Sequence, residues 1–437
     1  MGQRISLDHA LALAKAGDPD AQYAVSAALH QAGQLDESLY WLRLAASRNV
    51  VPAQLTLAAM WMDGQACPRD LQQARDVLRP LAATEPRANL LLAELHGFAA
   101  LEVGDRETGL RYLAAAARMG DAGALRQLAL LAACHRRWDL LRPLLDAAAR
   151  RGDPPAGHAL ACCYAEGIGG APEPGHAVAI SRSGLARGLY LARSLEQQLA
   201  PLPAPVAAPP ELAVDWPAVA QAIAQLAADI PLPPAETLHE SPRIRKLPGV
   251  IHPLVLDAVI DLAAPLVRRS EIVDARTGEV RADPMRTSSH VTLAPRQHDH
   301  VLEAIEHCIS CVSGLPALHG EFLQILRYRT GEEFKPHVDY FNESGDAAYR
   351  SLADGGQRAQ TVLLYLNEEY DGGTTSFPKL QLVIKGRRGD LLHFHNLAAD
   401  GLGHKDSLHA GTPVARGEKW LLSKWIRSER YPPRLRW

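Results

Sequence analysis

The chain reads as a multidomain protein: an all-α array of stacked helix pairs, then an antiparallel β domain with flanking helix, joined by a proline-rich spacer. Three observations predict this. An alanine-centred phrase recurs through the first 200 residues, proline then dominates 201–235, and short β-rich segments bounded by Gly, Pro, Asn and Asp follow. With 437 residues and 47% hydrophobic content, there is material for two or three cores.

The recurring phrase is "AKAGDPDAQYA" at 14, "ASRNVVPAQLTLA" at 46, "AARMGDAGALRQLA" at 116 and "AARRGDPPAGHALA" at 148. Ala21, Ala53, Ala88, Ala124 and Ala156 mark its phase at intervals of 32, 35, 36 and 32 residues. That period suits helix pairs that bury their apolar faces only by stacking. Each echo closes one helix, turns at Gly-Asp or an equivalent, and opens the next helix with small residues. The repeats resemble the short-repeat branch of the tetratricopeptide superfamily over roughly residues 6–195, which implies a solenoid; an irregular helical bundle is the alternative. The repeat domain is placed at 1–200.

From 201 to 235, "APLPAPVAAPPELAVDW" and "ADIPLPPAE" enclose a short helical stretch, a semi-rigid linker. The domain at 236–437 opens with one helix, roughly 252–268. It continues through "FLQILRY", "QTVLLYL", "LQLVI", "DLLHF" and "KWLLSKW". Many short strands without intervening helices predict an antiparallel sandwich or barrel.

A formal net charge of −3 predicts no general attraction to nucleic acid or anionic membrane, so a protein or small-molecule partner is expected. No run of about 18 apolar residues suggests a membrane span and the first residues lack a signal-peptide core, predicting a cytoplasmic protein. The six cysteines show no disulfide framework, and Cys308-Ile-Ser-Cys311 lacks a second pair at zinc-finger spacing, so buried, reduced thiols are expected.

The candidate chemistry starts at "EFKPHVDYF", where His337 and Asp339 flank Val338 at a strand end. Alone, this triplet is either half of a metal site or a polar turn. His409 lies 70 residues beyond Asp339, and Lys419 ten beyond His409. Two imidazoles and a carboxylate form a facial triad suited to ferrous iron, though zinc accepts similar ligands. If "KWLLSKW" is a strand, Lys419, Leu421, Ser423 and Trp425 share a face. A lysine among inward apolar neighbours needs an anion, since an unpaired buried ammonium is costly. The distal carboxylate of 2-oxoglutarate would serve, with hydroxyls of Tyr328 and Thr361 assisting.

Five collinear stretches, "MRTSSHVTL", "LRYRTGEEFKPHVDYF", "TVLLYLNEEYDGGTTSFP", "GRRGDLLHFHN" and "DSLHAGTPVARGEKWLLSKWI", closely resemble the prolyl 4-hydroxylase family of Fe(II)- and 2-oxoglutarate-dependent dioxygenases over roughly 241–430. The resemblance implies a double-stranded β-helix, or jelly roll, with iron on His337, Asp339 and His409. It places Lys419, Tyr328 and Thr361 on 2-oxoglutarate and Arg286, Ser288 and Trp425 on the substrate side. Dioxygen would be co-substrate and ascorbate a supporting reductant. The implied activity is hydroxylation of a prolyl residue in a protein or peptide recruited by the repeats. Phe334 replaces a family tyrosine and Arg427 a family histidine. Those departures keep open a small-metabolite or natural-product-peptide acceptor; a non-catalytic scaffold is the further alternative. His393 and His395 are expected to pack, His290, His298, His300 and His404 to lie in loops, Gly372-Gly373 to form a tight hairpin, and the basic tail to be solvated.

Overall fold

The structure, a computed structural model, describes residues 6–64, 66–98, 105–183, 188–201, 209–273, 280–282, 284–293, 299–341 and 352–431. His298 and the tail beyond 431 lie outside them. By compactness the chain divides after Ala124, within the helix Ala122–Cys134.

In the first unit, helices run as Leu7–Lys15, Pro19–Gln31, Leu35–Ser47, Val51–Asp63, Leu71–Leu81, Pro86–Phe98 and Arg106–Arg118. The phase-marking alanines Ala21, Ala53 and Ala88 are buried, each the third residue of its helix. The Gly-Asp turn has a simple local cause. Gly17 closes one helix at a φ of 96°, a left-handed geometry that costs glycine little. Asp18 then caps the next, its Oδ1 accepting the Ala21 N–H at 2.8 Å. In the copy that lacks glycine, Asn49 takes the left-handed position at a φ of 63°. Leu42, Leu57, Trp61, Leu78 and Leu92 fill the core between these helices.

The second unit repeats the device. Asp153 caps the Ala156 N–H at 2.8 Å and Ala156 is buried at the third position of Pro154–Glu166. The stretch between the proline clusters is the helix Trp216–Ala227. Beyond it, the helix expected at 252–268 spans Pro253–Ala263. A second helix, His300–Ser313, was not expected; Asp299 caps it by accepting from the Val301 and Leu302 N–H groups, both at 3.0 Å. Val301, Ile305, Cys308, Ile309 and Val312 form its buried face. His300 thus opens a helix and His290 sits in the strand Ser289–Thr292, not in loops.

The β-rich segments form two main antiparallel sheets, beside a two-stranded one of Glu271–Val273 and Val280–Ala282. The larger follows the order Glu236–Glu240, Arg243–Leu247, Leu391–His395, Arg358–Tyr365, Val414–Arg427, Gln324–Arg329, Ser289–Thr292 and Arg268–Arg269, with Tyr370–Gly372 also pairing to Val414–Arg427. The smaller runs Leu382–Ile384, Thr375–Phe377, His409–Gly411 and Phe334–His337. Leu326, Leu363, Phe377, Phe394, Val414 and Leu421 pack in one core drawn from both sheets, as a jelly roll requires. Among the described residues no helix is long and apolar enough to cross a membrane. None of the six cysteines is in a disulfide, and five are buried; Cys311 is exposed, against expectation.

Composition put domain limits at 200 and 236, whereas the second compact unit begins near 125. The reason is tertiary contact. Gln127 Oε1 accepts from the His300 backbone at 3.1 Å, Asp261 Oδ1 accepts from the Leu191 N–H at 3.0 Å, and Tyr190 packs edge-on to Trp420 with ring centroids 5.2–5.3 Å apart, as do Trp138 and His252. A chain beginning at Glu236 would leave Asp261 without its backbone donor and uncover these rings. It is expected to melt at least about 5 °C below a chain beginning at Met119. Equal melting temperatures by circular dichroism would show that the intervening helices contribute nothing to the β domain.

Candidate functional site

The register of the smaller sheet sets His409 directly opposite His337. Their rings lie 4.3 Å apart, and Asp339 inserts between them: Oδ1 is 3.6 Å from His337 Nε2 and Oδ2 is 3.5 Å from His409 Nε2. The three residues offer one donor atom each within 4.8 Å of one another. Strand pairing brings a residue 72 positions away from His337 to its side, and with Asp339 the three form a group that could hold a metal ion.

Both imidazoles are oriented by their own backbone. His337 Nδ1 donates to the Lys335 carbonyl at 2.8 Å and His409 Nδ1 to the Ser407 carbonyl at 3.0 Å, so both Nε2 atoms are turned toward Asp339. Burial holds the His409 imidazole below its usual range, outweighing the Asp339 charge. Burial works to raise the Asp339 carboxyl, yet the adjacent His409 and His337 rings and the Thr361 hydroxyl hold it well below the usual carboxylate range. A carboxylate held ionised beside an imidazole whose charged form is disfavoured by burial suits a divalent cation.

Thr361 takes a different place from the one expected. Its Oγ1 donates to Asp339 Oδ2 at 2.6 Å and accepts from Asn396 Nδ2 at 2.8 Å, so it steadies the carboxylate and does not reach toward a co-substrate. The threonine on the cavity wall is Thr375, from "GGTTSFP", with its Oγ1 2.8 Å from the Tyr365 hydroxyl. The motif was visible in sequence; which of its hydroxyls faces inward was not.

A cavity of about 40 Å³ opens beside the cluster. Lys419, Leu421, Ser423 and Trp425 all line it, as alternation along one strand requires. Lys419 is 2% exposed, and burial pulls its ammonium down to about 7. Its Nζ donates to the Gly373 carbonyl at 2.8 Å and lies 5.5 and 5.4 Å from the ring centroids of Tyr328 and Tyr365. Gly372 and Gly373 form the turn that presents this carbonyl, with φ of 68° and 58°. A Cβ on Gly372 would stand 2.5 Å from the Pro413 carbonyl oxygen, so the turn excludes side chains there. No carboxylate bonds Lys419 among the described residues. Tyr328, paired across the strands with Lys419, is fully buried, and its phenol is pushed up to about 12 and remains a donor.

On the far side, Phe334 stacks on His337 at 3.5 Å and 14°. Arg286 lies over the Phe334 ring, its Nε bonded to Ser270 at 3.1 Å, and shares the cavity wall with Gln324 and Trp425. Sequence reading missed Gln324. Trp425 stacks under the Arg358 guanidinium at 3.5 Å with its indole N–H unpartnered. Ser288, expected on the substrate side, is fully buried and is not among the cavity-lining residues. Arg427 pairs with Glu321 at 3.0 Å and likewise does not line the cavity. His393 bonds Gln360 at 2.7 Å and Arg245 at 2.9 Å, a packing role.

If Thr361 steadies Asp339, then Thr361→Val should weaken divalent-metal binding by roughly 10–100-fold while leaving the fold intact. Thr375→Val should leave metal affinity unchanged. Titration with Mn(II), read by electron paramagnetic resonance, separates the two; equal losses would return Thr361 to a role unrelated to the carboxylate.

Residues 323–427 match the model of the 2OG-Fe(II) oxygenase superfamily. The chain is 36% identical over 192 residues to probable prolyl 4-hydroxylase 3 of Arabidopsis thaliana, covering 40% of this chain and 65% of that protein. It is 34% identical over 208 residues to prolyl 4-hydroxylase 1 of the same plant, covering 44% and 72%. Among solved structures, a viral collagen prolyl hydroxylase from Paramecium Bursaria Chlorella virus-1 shares 25% identity over 42% of this chain and 95% of that one, with a TM-score of 0.34. A Sel1 repeat protein from Oxalobacter formigenes shares 21% identity over 51% and 65%, with a TM-score of 0.36; scores this low carry no weight here. On the sequence relationship, the chain belongs to the prolyl 4-hydroxylase family of 2OG-Fe(II) oxygenases.

Proposed function

We propose that this protein is an Fe(II)- and 2-oxoglutarate-dependent dioxygenase that hydroxylates a C–H bond of a prolyl residue in a protein or peptide. The observation that carries this reading is one cavity walled by both a two-histidine, one-carboxylate cluster and a buried ammonium bonded to no acid. A buried cation without an anion is costly, so the lysine is explained by a ligand that brings a carboxylate.

In this reading His337, Asp339 and His409 hold the iron, and Lys419 with Tyr328 holds the distal carboxylate of 2-oxoglutarate, Thr375 standing where Thr361 was expected. Bound iron, with 2-oxoglutarate and dioxygen, supplies the oxidant for hydroxylation, with succinate and carbon dioxide as co-products and ascorbate as supporting reductant. The chain's own residues do the positioning. The backbone-tethered imidazoles keep Nε2 directed inward, Thr361 and Asn396 fix Asp339, and the Phe334, Leu363 and Leu421 walls exclude water. Arg286 and Trp425, with Gln324, would meet the acceptor; Ser288 would act only from behind the wall. The helical repeats would recruit the acceptor, raising its local concentration. A cytoplasmic setting suits the free thiols.

Anaerobic reconstitution with iron, followed by turnover of 2-oxoglutarate with proline-containing peptides, tests the reading by succinate yield and a mass gain of one oxygen. His337→Ala, Asp339→Ala and His409→Ala should each abolish succinate formation. Arg286→Ala or Trp425→Ala should depress hydroxylation while sparing slow uncoupled decarboxylation. Oxygen added to free metabolites but never to peptides would favour the small-molecule acceptor.

A second test uses acidity. Free Lys419 has its pKa pulled down to about 7, so it carries the charge needed to bind an anion only below that pH, and the bound anion would stabilise the charged form. Affinity for 2-oxoglutarate should therefore fall as pH rises above 7, by up to about tenfold per unit. Calorimetry with Mn(II) in place of iron should show this slope in the native protein and its absence in Lys419→Met.

A further inference from the structure

The helix Pro154–Glu166 carries a second set of metal-ligand side chains that the oxygenase chemistry leaves unused. His158 and Cys162 stand four residues apart, neighbours on one helix face, and both are buried. His158 Nε2 lies 3.7 Å from Cys162 Sγ, while the buried Nδ1 has no hydrogen-bond partner. Asp257, from the helix Pro253–Ala263, completes the group: one donor atom from each of the three residues lies within 4.8 Å of the other two.

The surroundings carry more acid than base. Asp257 is bonded by Arg388 Nη2, and Asp261 accepts from backbone N–H groups, that of Leu191 at 3.0 Å. Burial raises the carboxyls of Asp257, Asp261 and Glu166, and the Asp257 charge raises the other two further. The carboxyls of Asp257 and Glu166 and the Cys162 thiol thus share the Arg388 guanidinium. A divalent cation would relieve that imbalance.

We propose that His158 Nε2, Cys162 Sγ and an Asp257 oxygen form a zinc site, with water in the fourth position, that clamps Pro154–Glu166 to Pro253–Ala263. Tetrahedral zinc with sulfur at about 2.3 Å and nitrogen at about 2.0–2.1 Å sets those two atoms about 3.6 Å apart, close to the spacing already present. A mixed sulfur, nitrogen and oxygen set selects zinc over magnesium or calcium. Binding displaces the thiol proton to solvent and leaves zinc thiolate; no oxidation is involved. A thiol-to-imidazole hydrogen bond accounts for the His158–Cys162 spacing and the Arg388 ion pair for one Asp257 oxygen, which leaves the other carboxylate oxygen for the cation. The trio Asp229, His307 and Cys311 is a built-in control: it offers the same donor types, but Asp229 and Cys311 are exposed, where His158 and Cys162 are buried.

The test uses full-length protein carrying His337→Ala and His409→Ala, which removes the competing oxygenase site. Titration with Co(II), a spectroscopic stand-in for zinc, should give thiolate-to-cobalt charge-transfer absorption saturating at one equivalent. Adding Cys311→Ser should leave it unchanged. Adding Cys162→Ser should abolish it, and His158→Gln should weaken binding at least about tenfold, which keeps the test decisive where the cysteine variant does not fold. Zinc should raise the melting temperature of the Cys311→Ser protein but not of the Cys162→Ser protein. Absence of the band before either cysteine is changed, its survival in Cys162→Ser, its loss in Cys311→Ser, or undiminished binding in His158→Gln would overturn the proposal.

Discussion

Everything in the cavity depends on burying ionisable groups without leaving them unsatisfied. Asp339, His409 and Lys419 are each nearly closed to solvent, where an unpaired charge is costly. The two sheets meet that constraint in different ways. The smaller contributes a carboxylate braced by two imidazoles, and the larger an ammonium that has only a carbonyl and two aromatic faces. The first arrangement is nearly self-sufficient. The second is complete only with an anion, and that asymmetry gives the cavity its chemical direction.

The supporting contacts explain how a few short strands hold this geometry. Each imidazole is fixed by a carbonyl two residues earlier in its own chain, so orientation is set locally and strand pairing only has to bring the two rings together. The carboxylate is fixed from the larger sheet, through Thr361 and then Asn396, which locks the two sheets to one another at the site. Substituting either support would disturb the cluster without touching a ligand atom.

In the helical part the same economy operates with different chemistry. Small residues at the third position let helices approach closely, and an aspartate cap ahead of them absorbs an otherwise orphaned N–H. From residue 125 onward the helices belong to one compact unit with the β domain.

The sequence by itself determined the features that depend on spacing and residue type. The repeat phase was legible because close helix packing demands alanine and helix starts demand a cap; the strand face carrying Lys419, Leu421, Ser423 and Trp425 was legible because alternation is a property of extended backbone. His337, Asp339 and His409 were legible as candidates from a motif order. Only the tertiary structure decided that His409 lies opposite His337, that Thr361 serves Asp339 while Thr375 faces the cavity, and that Ser288 and Arg427 stand off it. The helix His300–Ser313 escaped because its histidine-rich approach resembled a loop, and Cys311 proved exposed because only packing decides which face of that helix is covered. Periodicity records what one segment needs from its surroundings, whereas a hydrogen bond between residues 22 or 35 positions apart records which segment supplies it, and that depends on how the strands cross.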